Sequence, residues 1–520
     1  MKNLNKRHFF NSGSIYGFLA FIIPLITFTF SLRYYDYTYG FNVLATQYSM
    51  WSYHSFNLGT ISHPIYNGTI PNVDTVVVNG KYFDTYAPGL EFLGFPFSVI
   101  GFILDGNALK PQGNAIIMLE FFVALSASIA CYITYRICLF YARRLPSLIC
   151  GLTLGLATSV WPFAVVIFPH DTSMLLSLSS VFFALSYLKE KQAKTSVRGV
   201  SKLALAGLLL GAASFTDYLA TLLIFPMTLF VYFSSKGRRS AQKSNVSLGF
   251  PLLISIFLVS GPCLVFLYNY YNFGGPFIFP EEFYKFASPN ERSLGGLAMR
   301  FHLGYIGYAA LYNLVSPYRG LLIFSPVLVL GLYGLYKILG SKDFRQDGLL
   351  FVSFFLTIFI SYSAWSDWSG GASYGPRFIV PSLPYLVIPI TVVLENSRKK
   401  ISQAIFYALF CGSSFTCGMG AMVNSTPPVV FPPPILDYQL ASYILPKLSD
   451  GKVGMWWLER IGAISNTGID LAAVSFVLVL AVASVGYLVF KNVRDMDSSK
   501  WETQVVSVVE EKEEEENVAS

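Results

Sequence analysis

Apolar residues gather along the chain in thirteen runs, near 14–32, 88–104, 115–137, 147–167, 172–188, 202–217, 218–234, 248–269, 319–338, 349–365, 378–395, 403–421 and 468–490. A helix needs roughly 20 predominantly apolar residues to cross a bilayer, and most of the runs approach that length. The polar positions between them are basic in a regular way. Arg136, Arg143 and Arg144 form one cluster, followed by Lys189, Lys191, Lys194, Arg198 and Lys202, then Lys236, Arg238, Arg239 and Lys243. Lys337, Lys342 and Arg345, then Arg398, Lys399 and Lys400, then Lys491 and Arg494 continue the series. Two apolar runs separate each consecutive pair of clusters, and cytoplasmic loops are enriched in Lys and Arg. The register is self-consistent if one early run does not cross. The run 88–104 begins with Pro88-Gly89 and contains Glu91, Pro96 and Gly101, so it reads as a helix lying on the outer face. The pattern predicts an all-α polytopic membrane protein with about twelve crossings and both termini inside.

The outer face then collects segments 33–114, the Pro169-His170-Asp171 turn, 270–318, 366–377 and 422–467. Two glycosylation sequons, Asn67-Gly68-Thr69 and Asn424-Ser425-Thr426, fall outside and are expected to be open to modification, whereas Asn245-Val246-Ser247 falls inside. The first outer segment, about eighty residues, far exceeds ordinary connections. Within it Ala45–Phe56 is an aromatic-rich candidate for a surface helix.

Composition agrees. Of 520 residues, 54% are hydrophobic and only 12% charged, with a mean hydropathy of +0.53. Soluble domains carry about 25% charged residues, so a soluble enzyme, a disordered scaffold and a nucleic-acid binder are excluded. The formal charge is +7, but the last twenty residues are locally −6, so the first 500 carry +13. That acidic end reads as a solvated tail. The six cysteines lie in or beside apolar runs with no metal-ligand spacing, and buried thiols acting as small apolar side chains account for them. Three regions follow: 1–395, a transmembrane module with the long outer segment; 396–495, C-terminal membrane helices; and 496–520, the acidic tail.

Candidate chemistry sits on the outer face. Asp84 follows Asn79-Gly80-Lys81-Tyr82-Phe83 and either caps the next helix, with Lys81 paired to it, or faces a cavity as a base. Phe168-Pro169-His170-Asp171 puts an imidazole and a carboxylate at a helix start, where Asp171 is either an N-cap or part of a site. Asp217, between two apolar runs, must occupy a membrane surface or a polar cavity. Arg319 in Ser316-Pro317-Tyr318-Arg319-Gly320 and Arg377 in Trp365–Arg377 stand outside, against the usual bias. Each is an interface anchor or part of an anion site, since guanidinium forks suit phosphate oxygens. Asp367 and Tyr374 lie in the same Gly-rich segment. The spans carry few ionisable residues, and Glu120 is the clearest, which disfavours ion transport.

Taken in order, four of these stretches resemble the GT-C superfamily of membrane glycosyltransferases, nearest its protein-mannosyltransferase and aminoarabinose-transferase branch. They are Gly80-Lys81-Tyr82-Phe83-Asp84-Thr85-Tyr86-Ala87-Pro88-Gly89, Tyr268-Asn269 with Phe273-Gly274-Gly275-Pro276, Arg319-Gly320-Leu321-Leu322 with Ser325-Pro326, and Trp368-Ser369-Gly370-Gly371 with Gly375-Pro376-Arg377. They span about residues 14–395. The resemblance implies two surface helices in the first outer segment. It also implies a polyprenyl- or dolichyl-phosphate-linked sugar donor, and inverting transfer on the outer face to a protein or lipid acceptor. It further implies a catalytic Asp just before the first surface helix. Asp36 precedes Ala45–Phe56 by several residues and the position near Leu44 is not acidic, so Asp84 leads as the base, with Asp36, Asp74 and Glu91 open. Arg319, Arg377 and Lys81 are the expected phosphate ligands, and His170, Asp171, Asp217, Asp367 and Tyr374 the expected cavity wall. The scheme needs no cofactor and leaves room for a divalent metal; its partners are the lipid-linked donor, the acceptor and membrane lipids, with no nucleic acid. A transporter or flippase of an amphipathic lipid-linked substrate is the competing reading. Internal repeats or paired broken helices would mark it, and the sequence shows no clear repeat.

Overall fold

The computed structural model describes residues 15–33, 39–60, 74–110, 113–189, 197–241, 249–283, 301–397, 400–428, 433–451, 453–460, 469, 471–492 and 494. Asp36, the sequons at 67–69 and 245–247, and the acidic tail lie outside the described residues.

Helices dominate. α1 (Ile15–Ser31) packs on α4 (Asn114–Cys138) and α5 (Arg144–Leu156), and α4 packs on α7 (His170–Lys189). The chain continues through α8 (Val197–Thr216), α9 (Ile224–Ala241) and α10 (Gly249–Phe273), with α8 wedged between α7 and α10. Six described helices are long and apolar enough to cross a membrane: Asn114–Cys138, His170–Lys189, Gly199–Thr216, Arg345–Ser363, Lys400–Val423 and Leu471–Asn492. The expected twelve continuous crossings are not reached by that measure, because several runs are broken.

The breaks have local causes. Run 147–167 is α5, a one-turn α6 (Val160–Phe163) and an extended stretch, all buried. Run 319–338 stops at Ser325-Pro326, between one turn (Leu321–Phe324) and the helix Leu328–Gly340. Proline removes a helix donor and frees the neighbouring backbone groups. Helix Lys400–Val423 supplies the partners: Ser413 Oγ accepts from the Val327 N–H at 3.0 Å, and Cys417 Sγ donates to the Phe324 carbonyl at 3.2 Å. Prolines 381, 384 and 389 divide run 378–395 in the same way. Irregular backbone survives at membrane depth only when buried in protein, and these segments are.

The first outer segment departs from the all-helical expectation. α2 runs Tyr39–Tyr53, starting earlier than expected, and most of it is buried rather than lying open at a surface. An antiparallel hairpin follows, β1 (Thr75–Val78) with β2 (Lys81–Asp84), turning at Asn79-Gly80 with φ of 51° and 77°. Those angles fit the Asn-Gly turn that matches strand twist. Val76, Val78 and Phe83 bury against Phe273 at the end of α10. α3 (Gly89–Leu104) then starts against the end of α8, so closely that a Cβ at Gly89 would sit 2.6 Å from the Phe215 carbonyl oxygen. The Pro-Gly in the motif is therefore a packing requirement.

The described parts of segment 422–460 dock on the end of α1. Trp456 N–H donates to the Leu32 carbonyl, and the indoles of Trp456 and Trp457 donate to the carbonyls of Thr29 and Phe30. Helix C-termini leave carbonyls unsatisfied, and these donors fill that need. Arg33 donates to Asn424 Oδ1 at 2.8 Å, while Asn424 Nδ2 donates to Tyr443. The expectation that Asn424 is open to glycosylation is thus overturned, because its amide is buried and engaged at both ends.

Two ends are distinguished along α7 and helix Arg345–Ser363. At one, Lys189 Nζ lies 2.6 Å from Asp347 Oδ2, the Tyr141 hydroxyl donates to the same oxygen at 2.9 Å, and Arg143 pairs with Glu395 at 2.9 Å. The Lys189 ammonium also sits over the rings of Phe140, Tyr141 and Phe344. At the other end lie His170 and Tyr362. At 1.5 Å per residue, Lys189 and His170 are roughly 28 Å apart along α7.

Candidate functional site

A cavity of about 380 Å³ opens where the hairpin exit, the starts of α7 and the turn 218–223, α10, and the segment 362–378 meet. Its acidic and basic lining residues are Asp74, His170, Asp217, Asp367 and Arg377, with Thr85, Thr216 and Thr221 beside them. Leu219, Leu222, Pro262, Val265 and Phe266 make one side apolar, and the rings of Tyr86, Tyr218, Tyr362, Trp365 and Phe378 contribute aromatic faces. The expected His170, Asp217, Asp367 and Arg377 are brought together here. Arg319, Lys81, Asp84, Asp171 and Tyr374 are not among the lining residues.

The two outer arginines differ in what their donors do. Arg319 is buried, and all five guanidinium N–H groups have protein acceptors: Nε meets Ser369 O, one terminal nitrogen meets Tyr318 O and Gln439 Oε1, and the other meets Gly371 O and the Tyr318 hydroxyl. Burial pulls its pKa down to about 10, which leaves it charged at neutral pH. Nothing remains to grip an anion, so the expected phosphate role does not fit Arg319. It staples loop 316–320 to the turn at Gly370-Gly371, where φ values of 77° and 57° need glycine, and to Gln439. Arg377 is also buried, clamped over Phe168 at 4.4 Å and Phe378 at 4.7 Å. Among the described residues its side chain makes no hydrogen bond or ion pair, and its Nε is buried without a partner. A desolvated guanidinium strongly favours an anionic partner. Gly370 and Gly371 let the loop turn back so that Arg377 reaches the cavity. Burial raises the pKa of Asp367, against the lowering effect of Arg377 nearby.

His170 shares both aromatic neighbours of Arg377: its ring lies 6.1 Å from that of Phe168 and 5.5 Å from that of Phe378. Its Nδ1 is 3.5 Å from Asp217 Oδ2. Asp217 in turn accepts from the Tyr362 hydroxyl at 2.8 and 2.9 Å, and from the Leu219 N–H at 3.1 Å, capping the turn 218–223. Tyr362 was not singled out from sequence. It looks like one more aromatic in an apolar run, and only the chain crossing exposes its role.

The other expected site residues are placed as follows. Asp84 is buried, and its Oδ1 accepts from the N–H groups of Thr85 and Tyr86. Burial, then the charges of Glu91 and Asp74, push its pKa well up. Glu91, buried beside it, is pushed by burial up to about 8. Lys81 is exposed on the hairpin and does not pair with Asp84. Asp171 is buried in the first turn of α7, inside the helix rather than capping it. Tyr374 packs on Gly420 of helix Lys400–Val423, its hydroxyl donating to the Thr416 carbonyl. Among the described residues no group of three His, Cys, Asp or Glu is arranged to hold a metal ion.

No protein-family model and no curated protein matches the chain. Solved structures do. ArnT from Cupriavidus metallidurans bound to undecaprenyl phosphate superposes with a TM-score of 0.52 at 16% identity, over 91% of this chain and 77% of that one. The fold is that of the GT-C glycosyltransferases. The archaeal oligosaccharyltransferase AglB from Archaeoglobus fulgidus aligns at 11% identity over 80% of this chain and 57% of its own, with a TM-score of 0.45. Arabinosyltransferase EmbB from Mycobacterium smegmatis aligns at 11% identity over 94% and 41%, with a TM-score of 0.41.

Proposed function

We propose that the protein is an integral-membrane glycosyltransferase that moves a sugar from a polyprenyl- or dolichyl-phosphate carrier to a protein or lipid acceptor on the outer membrane face. The observation that carries this is Arg377: a buried guanidinium over the rings of Phe168 and Phe378, lining a cavity whose wall is otherwise largely apolar. A lipid phosphate satisfies both halves. The solved ArnT structure that shares the fold holds undecaprenyl phosphate.

The chemistry follows from the parts. The acceptor hydroxyl oxygen attacks the anomeric carbon, the bond to the phosphate oxygen breaks, and the hydroxyl proton passes to a base. Charge grows on the departing phosphate, where a positioned cation stabilises it; Arg377 fills that role. Carboxylates and aromatic faces around the cavity bind sugar hydroxyls and ring faces. For the base, the first outer segment supplies the candidates. The described part of α2 starts at Tyr39, three residues after Asp36 in the sequence and earlier than the expected Ala45, which supports Asp36 as a candidate base. Asp84 has its carboxylate tied to the turn at Thr85-Tyr86. We therefore place Asp36 ahead of Asp84.

Purified protein incubated with labelled polyprenyl-phosphate sugars is expected to transfer or hydrolyse the sugar and release polyprenyl phosphate. Asp36→Asn is expected to reduce the rate by about 10² to 10⁴, and Arg377→Gln to weaken donor binding as well. Activity unchanged in Arg377→Gln would overturn the phosphate assignment. Activity unchanged in both Asp36→Asn and Asp84→Asn would remove the proposed bases.

A further inference from the structure

We infer that His170, held by Asp217 and Tyr362, is a second group on the donor phosphate and supplies the proton that the departing phosphate takes up. The inference rests on the lipid-phosphate reading above and deepens it. Three observations carry it.

First, His170 and Arg377 occupy one corner of the cavity, packed against the same two rings, Phe168 and Phe378. An anion held by Arg377 is therefore beside the imidazole. Second, the imidazole is oriented from behind. Nδ1 faces Asp217, whose two oxygens are held by the Tyr362 hydroxyl and, at Oδ1, by the Leu219 N–H. A carboxylate on one ring nitrogen fixes the tautomer and raises the basicity of the other. Third, neither ring nitrogen makes a hydrogen bond among the described residues: Nδ1 stands 3.5 Å from Asp217 Oδ2, and Nε2 is buried on a residue that lines the cavity. A buried polar atom without a partner is costly; a phosphate oxygen is the partner this corner favours.

The placement also separates His170 from the base. In an inverting displacement the acceptor attacks opposite the leaving phosphate, so a group beside the phosphate cation serves the leaving group. The step balances. The sugar–phosphate bond breaks with its electron pair on the phosphate oxygen, that oxygen takes the proton from Nε2 of the imidazolium, and the acceptor's proton goes separately to the outer-segment carboxylate. The charged and titratable groups facing His170 are the Asp217 carboxylate, the Arg377 guanidinium over the shared Phe168 and Phe378 rings, and the Tyr362 hydroxyl, which is bonded to Asp217.

The test measures binding of undecaprenyl phosphate to the full chain in nanodiscs from about pH 6 to 8, comparing wild type with Arg377→Gln, His170→Gln and Asp217→Asn. This probe does not depend on knowing the sugar. His170→Gln is expected to weaken binding roughly ten-fold or more at the acid end and to lose the weakening that the wild type shows as the imidazole deprotonates. The lipid phosphate titrates over the same range, so the difference between the two curves is what is read. Asp217→Asn, nearly isosteric, is expected to bind as well as wild type at the acid end, with its loss of binding on raising the pH setting in at a lower pH than in wild type. A His170→Gln curve superimposable on wild type, with Arg377→Gln weakened, overturns the His170 assignment and leaves the lipid-phosphate reading standing. An Asp217→Asn curve unshifted from wild type overturns the orienting dyad. No saturable binding by the wild type overturns the lipid-phosphate reading, and this inference falls with it.

Discussion

At the scale of single residues, charge burial divides the molecule into groups that are compensated and groups that are not. Arg319 spends every donor on protein and acts as a staple, whereas Arg377 keeps its donors for the cavity. The sequence marked both as outer arginines beside Gly-rich turns, but spacing carries no information on which acceptors surround a guanidinium. Asp84 and Glu91 show a different compensation, since burial pushes both carboxyls up from the ordinary carboxylate range. Glu91, raised from its usual value to about 8, binds its proton in the folded state while the unfolded chain has lost it. Its stabilising effect is therefore complete below about pH 4.5 and is lost as pH rises towards 8, by about 1.4 kcal/mol per pH unit in that window. Glu91→Gln is expected to flatten this fall and to make the protein more resistant than wild type to denaturation in SDS at pH 8. Equal pH dependence in the two proteins would show that the carboxyl is not buried as described.

At the scale of elements, the chain uses broken helices where the apolar pattern reads as continuous spans. Periodicity reports which residues avoid water and is blind to whether they meet lipid or protein. Run 319–338 illustrates this, since Ser325-Pro326 interrupts it and side chains from a distant helix repair the break. The hairpin at 75–84 escaped for a related reason: its Asn-Gly turn was legible, but four-residue strands are too short to announce themselves beside aromatic runs. The repair is testable with neighbours on one helix. Ser413→Ala removes the acceptor of the Val327 N–H and is expected to cost about 1–3 kcal/mol, the penalty of a buried unpaired donor. Ser414 Oγ is buried without a hydrogen-bond partner among the described residues, so Ser414→Ala is expected to be neutral or slightly stabilising. Equal losses in SDS-unfolding midpoints for the two variants would show that the hydroxyl at 413 is not what sustains the break.

At the scale of the whole molecule, the two ends of the long helices define a polarity. α7 has 20 residues, about 30 Å, which matches the hydrocarbon thickness of a bilayer. His170 is at its start and Lys189 at its end, and helix Arg345–Ser363 runs the other way, with Asp347 near Lys189 and Tyr362 near His170. The Lys189 end also gathers Arg136, Arg143 and Arg144, close in sequence to Tyr141, which bonds Asp347. That concentration of positive charge supports the proposal that this end is cytoplasmic and that the cavity opens on the outer face. Three arginines in the described segments at the cavity end, Arg33, Arg319 and Arg377, are buried, and each is held by specific neighbours. Residue 110 precedes the start of α4, and Arg143 follows its end, so α4 alone separates them. A phosphatase reporter, active only outside, is expected to be active when fused after Lys110 and inactive after Arg143. The reverse pair would put the cavity on the inner face and remove the outer-face acceptor from the proposal, and equal activity at both sites would mean that α4 does not cross.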